Sequence, residues 1–226
     1  MSKDANDIHI GFVIFSNITQ LDFTGPLQVL SRIPGSTAHI AAKTSDPVPT
    51  DCGLSLLPTT TFANCPDLDL ICVPGGFGVV DAMTDPRVMD FVRGQAESAR
   101  YVTSVCTGAF VLGAAGLLDG RRATTHWAYT DLLPLVGAVH EKGRMVRDGN
   151  VVTAGGVTSG IDFGFRLVTE IAGADVAEAI QLAIEYDPDP PFSSGHLDQA
   201  SRPVMARVLP RYEDSVRQYR QTLVEM

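Results

Sequence analysis

The chain has no apolar run long enough to span a bilayer, a single tryptophan, and only four cysteines, none of them in a C-x-x-C pair. The first absence excludes a membrane-spanning helix, which needs about 20 consecutive apolar residues. Cys52, Cys65, Cys72 and Cys106 lie scattered, without metal-ligand spacing, so no metal site is expected and free thiols point to a reducing cytoplasm. Positive charge is also scarce. Seventeen Lys and Arg against 26 Asp and Glu give a formal charge of −9, which opposes nucleic acid or an anionic membrane as partner. The polar start MSKDAND lacks the apolar core of a signal peptide. There is no internal repeat and no linker able to divide the chain, so residues 1–226 read as one domain, with a Pro-rich segment and a charged helix forming a tail over 186–226.

What is present is a change of pattern within Arg100–Gly116 (RYVTSVCTGAFVLGAAG). Tyr101 to Val105 is β-branched and aromatic, as a short buried strand is, and from Gly108 small apolar residues suit a helix packed closely on a sheet. Cys106 stands between them in Ser104-Val105-Cys106-Thr107-Gly108, the small–x–nucleophile–x–Gly spacing of a nucleophile elbow with cysteine in place of serine. Such a turn needs small flanking residues and sets the sulfur beside a positive helix N-terminus, which favours thiolate. The alternative is an inert cysteine buried at a strand end.

Further strands are expected over Ile8–Phe15, Thr37–Lys43 and Leu68–Val73, a hairpin joined by Asp148-Gly149, and helices over Asp85–Arg100, Ser159–Ala172 and Asp175–Glu185. Ser159 with Asp162 reads as a capping box. The alternation gives an α/β fold built on a mostly parallel sheet. In such a sheet the loops after successive strands open at one carboxyl edge. Asp22 lies in the first of these loops, just ahead of a helix that Pro26 opens. It is either that helix's cap or a carboxyl within reach of the sulfur. Pro74-Gly75-Gly76-Phe77-Gly78 ends another strand. It lacks the Lys-Ser/Thr and G-x-G-x-x-G features of phosphate loops, so an oxyanion pocket is favoured over a nucleotide site, with a plain turn as the alternative. His126, in Thr124-Thr125-His126-Trp127, is the histidine best placed to approach Cys106, while His9, His39, His140 and His196 read as structural.

The ordered set QLDFTGP, ICVPGG, TSVCTG, RATTHWAY, VRDGNVVTAGG and EYDPDPPF resembles the ThiJ/PfpI branch of the class I glutamine amidotransferase-like superfamily over nearly the whole chain, and within it the enzymes that hydrate isocyanides. The resemblance implies a flavodoxin-like three-layer sandwich, a homodimer, no cofactor, and hydration of an isocyanide to an N-substituted formamide. It assigns Cys106 as nucleophile, Asp22 as its proton-transfer partner, and the backbone N–H groups of Gly76 and Thr107 as charge-stabilising donors, with His126 as an auxiliary candidate. Thr107 stands where many relatives carry histidine, which disfavours a Cys-His peptidase. Asp22 stands where many carry glutamate, which disfavours glyoxalase-like chemistry. The competing expectations are a sensor domain like that of AraC-type regulators, disfavoured by the short tail, and a redox-responsive chaperone that uses the elbow cysteine.

Overall fold

Strands covered on both faces read as continuous apolar runs rather than alternating ones, and the central strands here do so. The computed structural model describes residues 7–226, so the MSKDAN start lies outside the described residues. In chain order the first half comprises β1 (Ile8–Val13), α1 (Gln20–Leu30), β2 (Ser36–Ala42), the two-residue β3 (Val48–Pro49), β4 (Ser55–Leu56) and β5 (Thr60–Thr61), then β6 (Leu70–Val73), α2 (Val79–Thr84) and α3 (Pro86–Ser98). There follow β7 (Tyr101–Val105), α4 (Gly108–Ala114), β8 (Arg122–Ala123), a 3₁₀ segment (Trp127–Val136), β9 (Val139–His140), β10 (Met145–Asp148) and β11 (Val151–Ala154). Four helices close the chain: α5 (Ser159–Ala172), α6 (Ala174–Ala183), α7 (Arg202–Val208) and α8 (Pro210–Glu225).

Seven strands form one sheet in the order β10-β11-β7-β6-β1-β2-β5, parallel throughout except that β10 runs antiparallel to β11. Helices flank it in two groups. One holds α1, α5 and α6; the other holds α2, α3, α4, the 3₁₀ segment and α8. This is the flavodoxin-like arrangement expected from the sequence. Its consequence is that the carboxyl ends of β1, β6, β7 and β11 deliver their loops to one edge, around Cys106.

Several local expectations change. α1 begins at Gln20, so Asp22 lies in its first turn and Pro26 in its interior, where the missing N–H leaves the Asp22 carbonyl without its helical donor. Asp51, from the turn between β3 and β4, takes the part expected of a local cap: it accepts from Gln20 N at 3.3 Å and from Thr19 Oγ1 at 2.8 Å. The β10–β11 turn is Gly149-Asn150, because Asp148 pairs with Val151. No capping box forms at α5. Thr158 is its N-terminal boundary, Ser159 Oγ has no hydrogen-bond partner, and Asp162 instead pairs with Arg144 and accepts from Tyr186 Oη at 2.6 Å. His9 and His39, read as structural, pair with each other, their ring nitrogens 2.8 Å apart on adjacent strands.

Candidate active site

Cys106 has φ 56, in the left-handed region that non-glycine residues seldom occupy. The chain accepts this because β7 must turn at once into α4. A Cβ on Gly108 would stand 2.0 Å from the Val73 carbonyl oxygen, so only glycine fits there. The Cys106 N–H is held by the carbonyls of Ala154 (3.0 Å) and Gly155 (2.8 Å), and its carbonyl accepts from Thr125 Oγ1 at 2.7 Å. Strain of this kind, fixed from several sides, marks a side chain that must point one way.

Cys106 is 6% exposed and its sulfur sits beside the carboxyl of Asp22, which is fully buried. Asp22 Oδ2 accepts from Gly75 N at 3.1 Å, whereas Oδ1 has no hydrogen bond of regular geometry and is the oxygen left for the thiol or a ligand. Gly75 is required as glycine here. Its Cβ would meet Thr107 N, Thr107 Oγ1 and Asp22 Oδ2 at 2.6, 2.7 and 2.8 Å.

Burial raises the Asp22 carboxyl to about 7, against the opposing contacts of the Cys106 thiol and the Gly75 N–H, with Asp51 adding to the rise. The expected preference for thiolate is overturned. Burial, and after it the charge of Asp22, push the Cys106 thiol well above its ordinary range, although the Thr107 N–H and hydroxyl pull it down. The resting pair is therefore a neutral thiol beside a carboxyl that is close to half-protonated at neutral pH. Among the other cysteines, Cys52 is exposed, while burial pushes Cys65 up to about 11 and Cys72 up to about 12.

The structure brings Asp22, Gly76 and Thr107 together at Cys106, but it alters the role expected of Gly76. The Gly76 N–H is donated to Thr107 Oγ1 at 3.0 Å and is not free to face a substrate. The Thr107 hydroxyl in turn donates to the Gly76 carbonyl at 3.4 Å. His126 departs further from expectation. Its Nδ1 accepts from Ala128 N at 3.3 Å, capping the 3₁₀ segment, and its ring packs among Trp127, Tyr129 and Tyr212. Burial lowers its pKa to about 4, so the ring is neutral at pH 7 and carries its proton on Nε2. It forms a wall, not a Cys-His pair.

A cavity of about 920 Å³ is lined by Thr125, His126, Trp127, Gly155, Gly156 and His196 among others, and neither Cys106 nor Asp22 is on its walls. Two of these walls, Thr125 and Gly155, are the residues that clamp the Cys106 backbone. Among the described residues no cluster of three His, Cys, Asp or Glu side chains is arranged to hold a metal ion.

Sequence reasoning missed the contribution of α8, read there only as a charged tail. Tyr219 is 1% exposed, stacks edge-on to Phe110 at 5.3 Å, and donates its hydroxyl to the Gly76 carbonyl at 3.1 Å. Tyr129 Oη donates to Ser215 Oγ at 2.8 Å on the same helix. The signal was present: Tyr212, Val216, Tyr219 and Leu223 recur at helical spacing and form the face turned to the protein.

Residues 9–170 match the DJ-1/PfpI family. The chain is 53% identical over 210 residues to the isonitrile hydratase of Pseudomonas putida, covering 93% of this chain and 92% of that one. A crystal structure of a ThiJ/PfpI family protein from Pseudomonas syringae superposes with a TM-score of 0.94 at 38% identity, covering 96% of this chain and 90% of that one. The HTH-type transcriptional regulator GbdR of Pseudomonas aeruginosa is 28% identical over 82% of this chain but only 52% of its own length.

Proposed function

The chain belongs to the DJ-1/PfpI family, and we propose that within it this protein is an isonitrile hydratase, adding water to R–N≡C to give R–NH–CHO. The observation that carries this reading is the buried pair of Cys106 and Asp22, a nucleophile and a carboxyl able both to give and to take a proton near neutral pH. Identity of 53% along nearly the whole length to an isonitrile hydratase supports it. GbdR extends over roughly twice the segment it shares with this chain, so its regulatory role belongs to a longer protein.

Isocyanide carbon carries a lone pair and an electrophilic centre, so it must gain both a nucleophile and a proton. Asp22 takes the thiol proton as sulfur bonds to the carbon, and returns it to that same carbon, giving the thioimidate R–N=CH–S–Cys106. Water then adds its oxygen to carbon and a proton to nitrogen. The resulting R–NH–CH(OH)–S–Cys106 collapses: the hydroxyl proton passes to Asp22, C=O forms, and the thiolate leaves and recovers that proton. The Thr107 N–H and hydroxyl favour charge on the sulfur. One such preorganised donor is typically worth about 2.7–4 kcal/mol.

Purified protein incubated with an alkyl or aryl isocyanide should accumulate the corresponding formamide, read by the formyl proton in NMR. Recovery of isocyanide at the uncatalysed rate would defeat the hydratase reading. We further infer a cytoplasmic homodimer. A chain of 24.1 kDa should scatter light as a particle of twice that mass, and a monomer at micromolar concentration would count against the dimer.

A further inference from the structure

We propose that Thr125 is a positioning residue of this site: its hydroxyl fixes the Cys106–Thr107 peptide plane and with it the direction of the Thr107 N–H. The motif Thr124-Thr125-His126-Trp127 draws attention for its histidine, but that ring caps the 3₁₀ segment. The threonine before it is the member that grips the elbow. Thr125 is 3% exposed, and its Oγ1 donates to the Cys106 carbonyl at 2.7 Å.

A trans peptide is planar, and its C=O and N–H point opposite ways. Whatever holds the Cys106 carbonyl therefore sets the direction of the Thr107 N–H. The helix does not do so, because the Phe110 N–H, one turn on, goes to the Thr107 carbonyl at 3.0 Å. Of the two backbone donors that the resemblance assigns to this site, that of Gly76 is already given to Thr107 Oγ1. Among the described residues no oxygen takes the Thr107 N–H, which leaves it for the substrate. Backbone strain adds to the need for a clamp. Cys106 has φ 56, a conformation that persists in such residues only where the surroundings hold it.

Thr125 is itself held in place. The N–H of its neighbour Thr124 donates to Thr153 Oγ1 at 2.8 Å, in the buried β11. The next two residues of that segment, Ala154 and Gly155, accept from the Cys106 N–H at 3.0 and 2.8 Å. One segment thus grips the Cys106 N–H directly and, through Thr124, seats the hydroxyl that grips the carbonyl. Removing that hydroxyl leaves a buried carbonyl without its donor, and the peptide is then free to turn in search of another.

Thr125→Val keeps the branched shape and removes the donor. Its kinetic effect rests on the hydratase reading, which turnover by the parent protein tests separately. In the variant, kcat for formamide production should fall roughly 10- to 100-fold while KM stays within about threefold, because a misdirected donor is lost mainly in the transition state. Thr125→Ser restores the hydroxyl and should bring kcat back to within about threefold of the parent. Thr103→Val is the matched comparison. It breaks a buried bond of the same kind within the sheet, Thr103 Oγ1 to the Ile71 carbonyl at 2.8 Å, and should leave kcat within about threefold of the parent. A crystal structure of Thr125→Val, which needs no isocyanide, should show the Cys106–Thr107 peptide turned from its place in the parent. Should Thr125→Val fail to fold, Thr125→Ala replaces it in both measurements. The proposal is overturned if kcat of the Thr125 variant matches the parent, if Thr103→Val loses as much, if Thr125→Ser does not recover it, or if the peptide is unmoved. If the parent itself makes no formamide, the hydratase reading fails and the crystal comparison alone decides the role of Thr125.

Discussion

Replacing Cys106 by alanine is expected to abolish formamide production, a loss of at least about 10⁶-fold if the enzyme falls back to the uncatalysed reaction. No other thiol can stand in. Cys72 lies in β6 with its thiol pushed up to about 12, Cys65 is pushed up to about 11, and Cys52 is exposed in the turn between β3 and β4. The same position carries a stability test of the elbow. With φ 56, any residue bearing a Cβ is strained there by roughly 1–2 kcal/mol, and alanine keeps that strain whereas glycine does not. Cys106→Gly should therefore unfold at higher denaturant than Cys106→Ala, the reverse of the usual order in a buried site, and both should be inactive. Formamide production by the alanine variant above background would move the covalent step off Cys106. Equal denaturation midpoints would show that the turn is not strained.

The parts of this site that follow from local chemistry were legible in the sequence. The elbow spacing announced both the sharp turn at Cys106 and the need for glycine at 108, and the run LDLICV followed by PGG announced a buried strand ending in a close backbone approach. What stayed hidden depends on contacts between distant segments. Asp22 looks like a cap because it precedes apolar residues and a proline. It is Asp51, almost 30 residues on, that accepts from the helix N-terminus and leaves Asp22 to turn inward. The Gly76 N–H looked free because its acceptor, the Thr107 hydroxyl, comes from another loop. The thiolate expectation failed for a related reason. A helix N-terminus can be inferred from pattern, but the burial of Cys106 depends on how distant segments pack, among them α8, whose Tyr219 reaches Gly76. His126 illustrates the same limit: being near in sequence to a catalytic turn does not decide whether a ring faces the nucleophile or the aromatic residues packed behind it.

Asp22→Asn separates the carboxyl's chemistry from its structural part and should move two measurements in opposite directions. Asparagine can still accept from Gly75 N through its carbonyl oxygen, so the loop contact survives, but it cannot carry the thiol proton to the isocyanide carbon. Hydration should fall by about 10²- to 10⁴-fold, the usual worth of a positioned acid–base group. Stability should rise at alkaline pH. In the folded protein the carboxyl holds its proton up to about pH 7, against an ordinary value of 3.8. Between those values the folded state binds more protons than the unfolded chain, so stability falls as pH increases. This contribution is fully present below pH 4 and lost as pH rises through about 7. Burying the charged carboxylate above pH 7 therefore costs on the order of 4 kcal/mol at most. The amide of the variant has no charge to bury. The gain of the variant over the parent in urea denaturation should be small at pH 4.5 and much larger at pH 8. A variant that is less stable at both pH values would show that the carboxylate is held by favourable contacts rather than strained by burial. One that keeps full hydration would take the proton relay away from Asp22.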